Sequence, residues 1–325
     1  SRSYILLPAP PLLLKPAAVL HTCLYLGNTC FLMLTGALLF GRGTKGGIAS
    51  FYERRFSKVV LTSVIYFFFY MWQNGRLNPV CADTLREAFH RILSGSIQED
   101  CPFLWLVYMT LSIYVAVPFL QYMFEAMPYR ALTSLSAVLL VCMFLKTYTL
   151  MTTDLLPFFA QWIGIAMIGY WVSRPETRKY DRWIWILAAL SFLKVVLSVN
   201  PYVYWQSYVN YYVHMAPLSI FMACGIFALA LHKKPEQTHR FSPLITMLGK
   251  HSFTILLLHW WVLYHLAIYT LNLDITWRHP LTFTGTILFV IATSLVCGLL
   301  IDQTVVYAIR TLFEATVKQA KRIAK

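Results

Sequence analysis

Nine apolar runs spread along the whole chain constrain this protein more than any other feature. They fall at residues 16–40, 59–72, 103–123, 131–145, 158–172, 183–199, 216–231, 252–271 and 281–301. A backbone inside hydrocarbon must satisfy its own hydrogen bonds, so repeated segments of this size read as helices. A perpendicular span needs ~20 residues. Several runs are shorter, so their ends extend into the flanks or meet thinned bilayer. Composition agrees, with 58% of the 325 residues hydrophobic and only 12% charged. Mean hydropathy is +0.60, which excludes an ordinary soluble domain. The expected fold is all-α: a polytopic transmembrane helix bundle of nine spans, forming one integral domain over residues 1–325.

A net charge of +14 raises the question of nucleic acid, but the distribution of charge answers it. Basic residues cluster in 41–58, 173–182, 232–243 and the tail after 301, whereas the intervening loops hold far fewer. That alternation is the positive-inside pattern, so membrane lipids are the expected partners and nucleic acid is not. It places the C-terminus in the cytoplasm and the first residues outside. An odd span count with that orientation leads us to expect a further helix ahead of Ser1. On the outer side, Leu85, Phe89 and Leu93 are spaced to lie on the membrane as a short amphipathic helix. The tail from 302 to 325 reads as a cytoplasmic helix with a basic end.

The seven cysteines have no metal-ligand spacing, and no metal is expected. Cys23, Cys30, Cys142, Cys224 and Cys297 lie in apolar runs and read as small packing residues. Cys81 and Cys101 share one outer loop and are expected to form a disulfide. Closing a loop of about 20 residues would contribute roughly 3 kcal/mol on the chain-entropy account.

The chemistry, if any, belongs to the bundle, since no Walker loop, hydrolase constellation or metal motif is present. The stretch LGKHSFTILLLHWWVLYH (248–265) carries His259 deep in an apolar run. An ionisable group at that depth marks either function or a hydrogen bond to a neighbouring helix. His21, Asn28 and Thr35 recur every seventh residue beside Tyr25 and Thr29. This polar stripe suits interhelical packing as well as a lined cavity. In FYERRFSK, Arg54, Arg55 and Lys58 suit a phosphate clamp, with topology-setting charge as the alternative. The outer loop 200–215 is rich in aromatics. Tyr204, Trp205, Tyr208 and Tyr212 are candidates for stacking on a sugar or lipid headgroup, and an interfacial belt has the same composition. Lys194, inside a run, is expected to snorkel.

The order of several motifs resembles a known family, the integral-membrane acyltransferases of the acyltransferase-3 type. Within that family the resemblance is to the enterobacterial common antigen O-acetyltransferase type. CFLMLTGALLF (30–40) is similar to the family's FFxxSGxLF helix, with Thr35-Gly36 for Ser-Gly. FYERRFSKV resembles the RRxxR start of the next span, with Arg55 and Lys58 at its basic positions. PFLWLVYMTLSIYVAVPFLQ (102–121) is similar to HLWFL…YLxxPxL, IGIAMIGYWVSR (163–174) to FxxGYxxxR, and LGKHSFTILLLHWW to LGxxSxxIYxxH.

The resemblance implies ten spans, acyl-CoA (acetyl-CoA above all) as cytoplasmic donor substrate, and a sugar hydroxyl of a glycan or lipid-linked glycan as acceptor. It implies a bacterial inner membrane location. It also implies a first helix carrying an arginine and the catalytic histidine. Neither has a counterpart in this sequence, and Phe103 stands where the HLWFL histidine would be. His259, at the terminal-helix histidine, therefore takes a supporting catalytic role. Arg54, Arg55 and Lys58 would bind the donor's phosphates. A polysaccharide exporter or flippase, and an inactive scaffold lacking the catalytic helix, remain open alternatives.

Overall fold

The structure, a computed structural model, describes residues 11–41, 47–78, 81–96, 101–148, 162–198, 217–232, 242–273 and 280–323. Among the described residues every regular element is helical. The helices are α1 (Pro11–Leu39), α2 (Gly47–Arg55), α3 (Leu61–Gln73), α4 (Ala82–Ser94), α5 (Trp105–Ala126), α6 (Tyr129–Tyr148) and α7 (Trp162–Ser173). They continue as α8 (Asp181–Ser198), α9 (Pro217–His232), α10 (Ser242–Lys250), α11 (Ser252–Trp261), α12 (Pro280–Ile301) and α13 (Tyr307–Ile323). Wide π turns join α2 to α3 (Phe56–Val60), extend α11 (Val262–Thr270) and join α12 to α13 (Asp302–Val306).

Each apolar run overlaps a helix. Among the described residues four segments are long and apolar enough to cross a membrane: Thr22–Leu39, Trp105–Ala126, Ser252–Thr270 and Leu281–Gln319. Shorter apolar helices at Tyr129–Leu145, Trp162–Ser173 and Pro217–Leu231 accompany them. On α8, Trp183, Leu190 and Leu197 point outward, as do Leu281, Leu288 and Leu300 on α12. Large side chains left outside in such rows suit lipid and not water. Lys194 is likewise exposed on α8.

The chain divides into two compact units. Unit 1 holds residues 1–44, 115–237 and 276–278, and its centre is the packing of α1 on α7. A Cβ at Gly36 would collide with the Ala166 carbonyl, and one at Gly169 with the Met33 backbone. The two helices thus meet backbone to backbone, the close approach that small residues permit where lipid offers no hydrophobic drive. Around this contact Leu32, Met33, Ile165 and Met167 are fully buried. Thr22, Thr29 and Thr35 are also buried, and the Thr35 hydroxyl donates to Phe31 O at 2.9 Å. Thr29 and Thr35, members of the expected stripe, therefore serve packing, while the side chain of His21 lies outside the described ones.

Unit 2 holds residues 45–114, 238–275 and 279–325. Its core joins Tyr66, Phe67, Tyr70 and Met71 of α3 to Leu257 and Leu258 of α11. Val290 of α12 and Val306 of the following π turn belong to the same core. Gly298 lets α12 close on Thr254, whose methyl occupies the space a Cβ would need. Polar tethers hold α3 along α11. Tyr70 Oη donates to Leu257 O at 2.8 Å, and Trp261 Nε1 donates to Gln73 Oε1 at 2.6 Å. Each interhelical bond of this kind contributes about 0.6–2 kcal/mol in a bilayer.

The expected Cys81–Cys101 disulfide is not formed. Both residues are thiols. Cys101 is buried in the unit 2 core beside Leu104, whereas Cys81 sits at the start of α4. α4 itself turns Ala88 and Ile92 inward and leaves Phe89 and Leu93 exposed, which fits the amphipathic reading in part. Leu85 of the expected apolar face packs against the core instead.

Candidate functional site

The basic motif on α2 and its π turn is split by the structure. Arg54 and Lys58, four residues apart, share one exposed face. They line a groove of about 330 Å³, and Arg310 and Lys318 of α13 line its other side. That volume lies near the lower bound of small-ligand sites, roughly 300–1,000 Å³. Two carboxylates, Glu53 and Glu314, stand among these cations. Arg54 donates to Ser50 Oγ at 2.6 Å, and Arg310 Nε is paired with Glu314 at 2.9 Å. α13 is held in place by Phe313, whose ring lies 5.2 Å from that of Phe56. Arg55 turns away from the groove, with its guanidinium 5.1 Å from the Tyr114 ring and 5.6 Å from that of Phe51. It joins α2 to α5 through cation–π contact.

His259 lies on α11, about 7.5 Å along the helix from Thr254 at 1.5 Å per residue. Its Nδ1 meets Leu256 O at 2.6 Å. A carbonyl can only accept, so Nδ1 carries the proton and the neutral ring presents the Nε2 lone pair. The ring is half-buried, with Phe103 edge-on at 5.2 Å. Phe103 in turn contacts Tyr70 at 5.4 Å and Trp260 at 5.7 Å. An aromatic wall therefore sets the imidazole's orientation.

One turn further on, Gln73 links two elements that sequence reasoning did not connect. It accepts from Trp261 Nε1 and stands 3.3 Å from His265 Nδ1. At the other end of α11, the Thr254 hydroxyl donates to Asp302 Oδ2. The Tyr66 hydroxyl and the Asp302 carboxylate are neighbours in the same polar cluster.

The motifs in unit 1 meet at one place. The Gln121 side-chain amide donates to Leu39 O at 2.5 Å, and Phe124 stacks on Phe40 at 5.1 Å. Tyr170 contacts both rings and lies under Arg174, 5.8 Å from its guanidinium. Three of the family-like motifs thus converge through packing of α1, α5 and α7. Tyr204, Trp205, Tyr208 and Tyr212 lie outside the described residues.

Sequence reasoning missed Arg310 and Lys318, which it counted only as cytoplasmic charge. A signal was present: Arg310, Phe313, Glu314, Val317 and Lys318 follow the spacing of one helical face. No group of histidine, cysteine or acidic residues able to hold a metal occurs among the described residues.

A comparison with curated proteins and one with solved structures each gave no match. A family profile described as an acyltransferase domain, of the acyltransferase-3 type, matches residues 5–302. That match spans α1 through α12 and contains His259, Arg54, Arg55 and Lys58, so the chain belongs to the acyltransferase-3 family of membrane acyltransferases.

Proposed function

We propose that this protein is a membrane-embedded O-acyltransferase. It takes an acyl group, acetyl in the first instance, from cytoplasmic acyl-CoA and delivers it to a sugar hydroxyl of a cell-surface or lipid-linked glycan. The proposed location is a bacterial inner membrane, with nine spans in this chain and the C-terminus in the cytoplasm. One observation carries the reading: a cationic groove and a half-buried imidazole occur in the same compact unit of a chain from this family. Arg54 and Lys58 suit the donor's phosphates, since charge-assisted contacts to phosphate are the strong ones. Arg55 supports them by fixing α2. Arg310 lies about 12 Å beyond Asp302, and His259 about 7.5 Å from Thr254 in the other direction. Donor phosphates and reacting thioester are therefore separated by ~20 Å of helix axis, a gap suited to the extended arm of coenzyme A.

In the transfer, the acceptor hydroxyl loses its proton as its oxygen attacks the thioester carbonyl. The C–O bond forms, the C–S bond breaks, and the departing coenzyme A sulfur takes up a proton. With Nδ1 protonated, His259 can accept a hydrogen bond from the acceptor hydroxyl but cannot donate one to the thioester carbonyl. We assign it the positioning of the hydroxyl and not the primary proton abstraction. The aromatic residues Tyr204, Trp205, Tyr208 and Tyr212 are proposed for the acceptor sugar.

The test is reconstitution in vesicles with radiolabelled acetyl-CoA on the face that carries the C-terminus and glycan on the other. Label appearing as an O-ester on the glycan is expected. Glycan movement without any dependence on acetyl-CoA would replace this reading with the exporter.

A further inference from the structure

The family match ends at residue 302, just before α13. Yet α13 supplies half of the cationic groove. Its half-buried residues Arg310, Phe313, Glu314 and Val317 recur at helical spacing and face α2 and its π turn. Lys318 extends the same face by one residue. The groove contains four cations and two carboxylates, so its net charge attracts an anion, and holds it more strongly once a carboxylate yields. Glu314 is the one to move, because Arg310 is spent on it at 2.9 Å in a pair exposed enough to open.

We propose that α13 is the second wall of a phosphate-binding groove, with Arg310 and Lys318 joining Arg54 and Lys58 on the ligand, and with Glu314 as a built-in competitor for Arg310. The ligand class is a phosphate ester, and the nucleotide phosphates of coenzyme A are the assigned source; that identity rests on the proposed function. The empty groove keeps Arg310 oriented by its carboxylate partner. A bound phosphate takes over the guanidinium bidentately, and Glu314 turns to solvent. A structural role for α13 makes no such demand, because removing the Glu314 charge would then weaken the site or leave it unchanged.

The test titrates coenzyme A and dephospho-coenzyme A into the full-length protein, held in nanodiscs of phosphatidylcholine. Loss of both cations (Arg310→Ala with Lys318→Ala) should weaken coenzyme A by ~10- to 100-fold, the effect of one or more lost charge-assisted contacts. Glu314→Gln should tighten it several-fold, and Arg322→Ala, an exposed charge outside the groove, should leave it unchanged. If the alanine pair fails to fold, Glu314→Gln alone decides: unchanged or weaker binding overturns the proposal. Unaltered affinity in a folded alanine pair overturns it as well.

Nanodiscs containing phosphatidylglycerol separate the two phosphate sources. If the alanine pair loses only its hold on anionic lipid, the groove belongs to a headgroup and the coenzyme A assignment falls. A wild-type protein that binds no coenzyme A in either disc removes the donor reading of the proposed function. Wild-type binding that is indifferent to every α13 variant removes only this inference.

Discussion

Two residues show how a single atom's partner fixes what a side chain can do. His259 is confined to one role by Leu256, because the carbonyl claims the Nδ1 proton. His259→Ala should lower acyl transfer by perhaps ~10²-fold, the low end of acid–base contributions, with thermal stability of the solubilised protein held. Full activity with a lowered melting temperature would instead make it a structural hydrogen bonder. Cys81 is governed by the start of α4. The backbone N–H groups of Thr84 and Asp83 hold its thiol below the ordinary cysteine value. Thiolate is the reactive form, so a lowered value means more thiolate at neutral pH. Iodoacetamide should therefore label Cys81 faster in the native protein than in denaturant, and the native rate should decline as pH falls through the lowered value. Cys101, buried in the core, should label only on unfolding. Protection of both thiols until reductant is added would restore the disulfide.

At the level of elements, the glycines of the family motifs act through contact. Gly36 and Gly169 allow α1 and α7 to touch, and neither has room for a side chain. Gly36→Leu forces the helices apart and should cost at least the roughly 1–3 kcal/mol typical of overpacking. Gly27→Leu on the same helix meets open space and should cost little. Melting curves of the two purified variants should separate clearly; equal curves would refute close packing as the reason for glycine at 36. The helices themselves were legible, because apolar length is a strong signal in a membrane chain. Their partners were not. TGALLF and GYWVSR read alike as loose apolar motifs, and only the structure shows that Tyr170 of one contacts Phe40 of the other. Arg55 was legible as a basic motif position, but its direction was not. The motif resemblance favours it over Arg54, its neighbour, yet it is Arg54 that faces the groove.

For the molecule as a whole, the charge pattern predicts orientation and the helices supply the crossings. An accessible tag after Lys325 should resist impermeant reagents in intact cells and become reactive once the membrane that holds the protein is opened. Labelling before permeabilisation would invert the topology and move the groove to the outer face. The groove itself depends on a feature that no hydrophobic period announces. α12 passes into α13 through the π turn at Asp302–Val306, where the helix accommodates one residue more per turn than its neighbours require. The π turn takes up that extra residue, so the helix beyond it keeps its facing; a residue removed after the turn, between Tyr307 and Ile309, meets no such slack. It would swing the rest of α13 by about 100°, the angular step of a single residue. Arg310 and Lys318 would then keep their identity and their charge and face somewhere else. Between that turn and Arg310, relatives should therefore be matched on residue count before residue type: a homologue one position shorter there lacks the groove even with every cation in place.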